Sequence, residues 1–336
     1  MSKLAEWAAK FDKETGHVEV ESGIRSYLST GFKPLDHAIS GKYEGGGMPV
    51  GRIVEMFGPS SCGKTAIATM VMKNAQAAGG FAMFMDHERS FEPRLAKQLG
   101  LNTARGTFFH EVPETFEGSV TYAIKTAKDA RDNKIIPDNA PIVIVFDSLA
   151  AMVPKSKMAK EIDEQGMNDS LALAKACAAV FPVLALYAEK YQILFLVLNQ
   201  IRLKPGVVYG DPETTPGGES PRFYASVRIR LGAKKIVDGT GDSKEMTGQE
   251  ITAKCVKNKT YRPFMTAKWD FRFREDGSGY FDVTGSMLSF LIDEKILPSA
   301  GARVTWTDGK SYYRKALAEM IDKESLQSEL EALLPK

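Results

Sequence analysis

Short apolar runs alternate with longer amphipathic stretches from Gly31 to about Asp270. Continuous apolar runs bounded by polar residues predict strands covered on both faces, and the stretches between them predict helices. The expected strands lie at 53–57, 81–85, 141–146 and 193–198. The expected helices lie at 66–78, 91–99, 115–131 and 172–190, the last with a kink at Pro182. Such alternation predicts an α/β fold with a mostly parallel central sheet and helices on both faces. Later segments, 223–231, 250–256 and 265–273, read as antiparallel strands, and a small helix-rich module is expected beyond Gly277. Residues 1 to about 21 read as a short helix and a polar link, too small to fold alone. The expected division is 1–30, 31–274 and 275–336.

Composition narrows the class only slightly. Hydrophobic residues make up 43% of the 336, enough for a substantial core, and the net charge of +2 neither demands nor excludes a nucleic-acid partner. The sequence shows no apolar run of about 18 residues, so no membrane partner is expected. Cys62, Cys177 and Cys255 are far apart and not in metal-ligand spacing, which argues for a reducing compartment and against zinc or a disulfide framework.

The chemistry enters at Gly58-Pro59-Ser60-Ser61-Cys62-Gly63-Lys64-Thr65, a full G-x-x-x-x-G-K-T phosphate loop. Its glycines let successive backbone N–H groups turn inward on a polyphosphate, and the following helix adds its positive end. Lys64 is placed for the β- and γ-phosphates and the Thr65 hydroxyl for Mg²⁺. The apolar run before the loop and the helical stretch after it supply the strand–loop–helix setting the motif needs. Ala66 and Glu92 complete the expected nucleotide-binding set. Within the phosphate loop, Cys62 is expected to be drawn toward thiolate by the helix end and Lys64.

Three strands end in polar residues, where ligands bind in an open parallel sheet. Asp147 is the candidate for the metal side, with a helix-capping aspartate as the bland reading. Glu88 is the candidate for polarising a water, although taken by itself it reads more strongly as one of an exposed charge cluster with Arg89 and Glu92. Asn199 and Gln200 offer neutral amides to sense a γ-phosphate. Two long polar loops, about 155–170 and 203–221, follow sheet strands and should emerge on one side. Arg202, Lys204 and Arg222 flank the second, and the N–H groups of Gly217 and Gly218 are available to phosphates. A disordered insert and a protein-binding loop stay open as readings of both.

These residues resemble the RecA recombinases, the bacterial and phage ATPases that form filaments on single-stranded DNA. The similarity runs through the phosphate loop, Met85-Asp86-His87-Glu88, Val145-Phe146-Asp147-Ser148 and Asn199-Gln200-Ile201-Arg202. Its most specific part is Gly210-Asp211-Pro212-Glu213-Thr214-Thr215-Pro216-Gly217-Gly218 with Arg222-Phe223-Tyr224-Ala225-Ser226-Val227-Arg228. The resemblance implies a RecA-type P-loop ATPase core with a short N-terminal helix and a small α/β C-terminal domain that gathers DNA. It also implies Glu88 as catalytic glutamate, Asp147 at the metal, and Gln200 as γ-phosphate sensor. Lys257 and Lys259 would reach a neighbour's ATP, and Arg222 and Phe223 would lie at the subunit interface. Met167, Lys175, Arg202, Lys204, Gly206, Val207, Tyr209, Thr214, Thr215, Gly217 and Gly218 are the implied DNA contacts.

The implied protein uses ATP and Mg²⁺, binds single-stranded and homologous double-stranded DNA, and forms a helical homo-oligomer in a bacterial or phage-infected cytoplasm. Leu95 stands where the family has an adenine-stacking tyrosine, and Cys62 replaces a serine, which suggests a divergent, phage-borne member. A ring-forming helicase on the same core, and an ATP-binding mediator without strand exchange, are the rival readings.

Overall fold

The computed structural model describes residues 2–15, 23–161, 171–203, 212–239 and 244–335. Nine strands among these form one sheet: β1 (Ile53–Gly58), β2 (Phe81–Asp86), β3 (Phe108–Glu111), β4 (Ile142–Asp147), β5 (Ile193–Gln200), β6 (Val227–Asp238), β7 (Glu245–Asn258), β8 (Thr266–Phe273) and β9 (Gly279–Asp282). Their order across the sheet is β9-β8-β7-β6-β1-β5-β4-β2-β3. From β6 to β3 all neighbours are parallel; β7, β8 and β9 extend the sheet antiparallel.

The period-two alternation of a strand sorts the central residues between two cores. Val54, Met56, Phe84, Val143, Val145, Leu194 and Leu196 face the helix Lys64–Ala77, which buries Ile67, Val71 and Ala75 against them. Ile53, Met83, Met85, Ile144, Phe146, Ile193 and Phe195 face helices Phe116–Asp132 and Ala172–Tyr191. Because both faces are covered, these strands read as apolar runs, interrupted in β1 by Glu55. The antiparallel strands alternate instead, as in the burial of every second residue at the start of β6. Thr115 caps its helix by accepting the Gly118 N–H at 3.2 Å.

Several expectations need correction. The segment expected as a strand at 223–231 divides: Ser220–Tyr224 is a short helix begun by Pro221, and the strand starts at Val227. That strand is parallel to β1 on one side and antiparallel only to β7. The helix expected at 91–99 is confined to Pro93–Gln98, with Pro93 at its first turn and Glu92 as its cap. Helix Ala172–Tyr191 continues through Pro182. It is also long and apolar enough in composition to cross a membrane, against the expectation of no such stretch, but Cys177, Phe181, Leu184 and Ala188 pack it into the core.

The division expected at 274/275 falls in the turn between β8 and β9, which pair from Phe273 with Gly279. The small module begins at helix Val283–Asp293 and adds a three-stranded sheet and helices Arg314–Glu324 and Gln327–Ala332. Its Leu288, Leu291, Leu317 and Ile321 join the same core as β8. At that junction Trp269 stacks between Phe281, 3.9 Å away, and Phe32, 5.0 Å away. The N-terminal helix Lys3–Thr15 buries none of its residues and exposes Leu4, Trp7 and Phe11.

Trp269 therefore ties three chain segments together, and Trp269→Ala is expected to cost about 3–5 kcal/mol of stability, read as a lowered midpoint in urea unfolding.

Candidate nucleotide and DNA site

The phosphate loop takes its shape from close packing. Gly63 has φ +88°, and a Cβ there would lie 2.3 Å from Ile251 Cδ1. A Cβ on Gly58 would lie 2.6 Å from the Leu231 carbonyl oxygen and 2.7 Å from Cys62 Sγ. Only glycine fits either position. Lys64 Nζ donates to the carbonyls of Gly58 (3.2 Å) and Pro59 (2.7 Å), lying over the loop. The Thr65 hydroxyl donates to Asp147 Oδ2 at 2.9 Å, joining loop to strand β4.

Around this loop lies a cleft of about 520 Å³, lined by Ser60, Ser61, Cys62, Gly63, Lys64, Thr65, Ala66, Glu88, Leu95, Asp147 and Gln200. Ser60 to Ala66, Glu88, Asp147 and Gln200, all singled out from the sequence, thus meet in one place. Gln200 Nε2 donates to Glu88 Oε1 at 2.9 Å, and the Ser148 hydroxyl donates to the same oxygen. Glu88 is exposed. Asp147 is 2% exposed, and burial pushes its carboxyl up to about 6; the Thr65 hydrogen bond opposes this, and Glu88 and Asp86 add to it.

The residues fit a nucleotide triphosphate with its metal: inward-turned loop backbone, one lysine, a hydroxyl paired with a carboxylate, and a second carboxylate across the cleft. Glu92 is not among the lining residues; its carboxylate caps helix Pro93–Gln98 through the Arg94 N–H at 2.9 Å. Cys62 is 1% exposed, and burial raises its thiol pKa more than Lys64, 3.9 Å away, lowers it. The expected thiolate is corrected accordingly: desolvation outweighs the helix end. A larger cavity of about 730 Å³ lies elsewhere, between His37, Tyr43 and the C-terminal module.

Sequence reading missed the far wall of the cleft, formed by Gln249 and Ile251 of β7 and Phe271 and Phe273 of β8. With Leu95 opposite, these aromatic rings suit a flat base. The signal was the alternation Trp269, Phe271, Phe273, but only the sheet order brings β8 to the loop.

Asn199 and Gln200 point to different partners. Buried Asn199 donates to Glu55 Oε1 (3.0 Å) and to the Pro216 carbonyl (3.0 Å), fastening the returning limb of the second loop. Arg228 Nε reaches Glu55 Oε2 at 2.5 Å, and Arg230 pairs with Glu213 at 2.6 and 2.7 Å. Arg202–Leu203 and Glu213–Thr214 form a two-stranded ladder at the base of that loop. Thr214 accepts from Arg222 at 3.1 Å, and Thr215 is buried beside Arg228. Gly217 (φ +99°) is buried against Leu149 and Cys177, and Gly218 (φ +73°) meets Ala174. The two glycines thus let the second loop pack on the helix that follows the first. Lys175 is exposed in the first turn of that helix. Met167, Lys204, Gly206, Val207 and Tyr209 lie outside the described residues.

Lys257 and Lys259 do not line the cleft of their own chain. Both gather around Phe223, which is 68% exposed: Lys257 Nζ donates to the carbonyls of Arg222 and Phe223, and Lys259 Nζ sits 5.7 Å from the Phe223 ring.

A mostly parallel α/β sheet with a phosphate loop after β1 and carboxylates at the carboxyl ends of β2 and β4 defines a P-loop ATPase. The profile of the RecA N-terminal domain matches residues 12–278. A chromosomal RecA of Lactococcus lactis subsp. lactis is 37% identical, covering 85% of this chain and 68% of its own length. The RecA of Streptococcus pneumoniae is 34% identical, covering 87% and 71%, and that of Streptococcus gordonii is 34% identical, covering 84% and 68%. The chain belongs to the RecA family, the DNA-dependent ATPases of homologous recombination and repair.

Burial, with the charges of Lys259 and Arg228, lowers Lys257 to about 8, so its ammonium is lost as pH rises through that value. ATP-driven assembly on DNA is expected to weaken above about pH 8 in the wild type. Lys257→Arg, whose guanidinium stays charged, should keep it; fluorescence anisotropy of labelled DNA across a pH series reads the difference.

Proposed function

We propose that this chain assembles head to tail into a helical filament on single-stranded DNA, with ATP and Mg²⁺ at each subunit interface, and pairs it with homologous double-stranded DNA. The observation that carries this reading is the placement of Gln200. It holds Glu88 at one end of the site while its neighbour Asn199 holds Pro216 of the second loop. A change at the γ-phosphate that moves Gln200 acts on a strand end already fastened to a DNA-facing loop.

The phosphate loop, Lys64 and Thr65 would hold the nucleotide, with Thr65 and Asp147 on the metal side. Bound ATP supplies the phosphoryl group to be transferred. Glu88 orients a water and takes its proton at the carboxylate, and Gln200 and Ser148 keep that carboxylate in place. Lys257 and Lys259, presented beside Phe223 and away from their own cleft, would complete a neighbour's site in trans. Residues 1–30 would serve assembly: the exposed Leu4, Trp7 and Phe11 face suits burial on an adjacent subunit. The C-terminal module would gather DNA, and Arg202, Lys175 and Thr214 with the two loops would face its backbone, while buried Thr215 would support the second loop from behind. The protein would act in the cytoplasm of a bacterial or phage-infected cell.

Strand exchange between homologous substrates, with ATP and Mg²⁺, tests the reading. Absence of product from a protein that forms filaments by electron microscopy would overturn it, and closed rings would favour a helicase motor. Glu88→Gln is expected to bind ATP and DNA normally while DNA-stimulated turnover falls by about a hundredfold or more.

A further inference from the structure

The turn that carries Glu88 is held by contacts that the ATPase reading leaves unused, and two of them are imidazoles. Asp86, the last residue of β2, is 2% exposed. Its carboxylate closes the turn by accepting the N–H groups of Ser90 at 3.0 Å and Phe91 at 3.1 Å. His110 comes from the edge strand β3, where it pairs with Phe84. It sets Nε2 3.2 Å from Asp86 Oδ2 and packs its ring 4.8 Å from that of Phe91.

On the other side of Glu88, His87 Nε2 lies 3.0 Å from Ser119 Oγ in helix Phe116–Asp132. The Ser119 hydroxyl is already donated to the Phe116 carbonyl at 2.7 Å, so the imidazole is the donor. Burial holds His87 down to about 4, which keeps the ring neutral. The backbone N–H groups of His87 and Glu88 both donate to the Asp147 carbonyl, at 2.7 and 3.1 Å. Between these anchors Arg89 takes φ +56°, a region a non-glycine residue occupies only when its surroundings impose it.

Neither histidine lines the nucleotide cleft, so neither is placed to touch the reacting atoms. We propose that His110 and His87 are positioning residues for Glu88: His110 through the Asp86 carboxylate, and His87 through helix Phe116–Asp132, brace the turn so that the Glu88 carboxylate stays within reach of Gln200 and Ser148. The proposal rests on the reading of Glu88 as the group that orients water. An edge strand and a helix thereby set the geometry of a residue just past the carboxyl end of the neighbouring strand β2. Loss of either brace lets the turn relax while leaving the phosphate loop intact. The effect belongs in turnover and not in nucleotide affinity.

His110 has a side chain one-third exposed, so it can be replaced without opening a buried void. His110→Leu keeps the packing on Phe91 and removes the donor; His110→Gln keeps a donor. With saturating single-stranded DNA, His110→Leu is expected to lower kcat by about tenfold, with KM for ATP within about twofold of wild type. His110→Gln should recover most of the rate at an unchanged melting temperature. A wild-type rate in His110→Leu, or a His110→Gln as slow as His110→Leu, overturns the role of His110. Glu88→Gln in the same assay separates the two readings. If it is slow while His110→Leu is normal, only the brace fails; if it turns over normally, the assignment of Glu88 fails and the brace with it.

Discussion

A carboxylate taken out of water is costly unless it is paired or hydrogen-bonded, and this sheet buries three of them near its carboxyl end. Glu55, Asp86 and Asp147 are each 1–2% exposed on β1, β2 and β4. Satisfying them organises what surrounds them. Glu55 draws in Arg228 and Asn199, and with them the returning limb of the second loop. Asp86 gathers the backbone of the turn bearing Glu88. Asp147 takes the hydroxyl of Thr65 and so sets the phosphate loop against its strand. One electrostatic demand, met three times, positions the phosphate loop, the turn bearing Glu88 and the returning limb of the second loop. Removing a single partner would leave a buried charge uncompensated, which is why these contacts hold loops that sequence composition alone would leave free.

Much of this was legible in the chain. Apolar runs, broken in β1 by Glu55, marked the double-covered strands because both faces of β1, β2, β4 and β5 are buried. The phosphate loop, Glu88, Asp147 and Gln200 could be read because each lies within a residue or two of a strand end. What escaped depended on partners distant in sequence. Phe271 and Phe273 meet the phosphate loop only because β8 follows β7 and β6 outward from β1. The state of Cys62 turned on its burial in the core shared with Leu231 and Ile251, against two nearby positive influences that were visible locally. Pro221 overrode the strand-like run at 223–231, where the backbone must turn before β6 begins. The Asn199–Glu55 contact spans 144 positions and has no local signature.

β6 is the strand where the sheet changes character, parallel to β1 and antiparallel to β7. Across it runs a register row: Lys257 opposite Arg228, and Arg228 opposite Glu55. The strand leading into a protomer's own phosphate loop and the strand carrying the lysines proposed for its neighbour are therefore two sheet spacings apart, about 10 Å. A hydrogen-bonded ladder does not stretch, so this separation is the same in every copy. In a head-to-tail array of such copies, the sheet acts as a ruler. In the proposed filament, strand order would fix the part of the step between nucleotides that lies within a subunit, so a change in pitch would come from the contact between subunits.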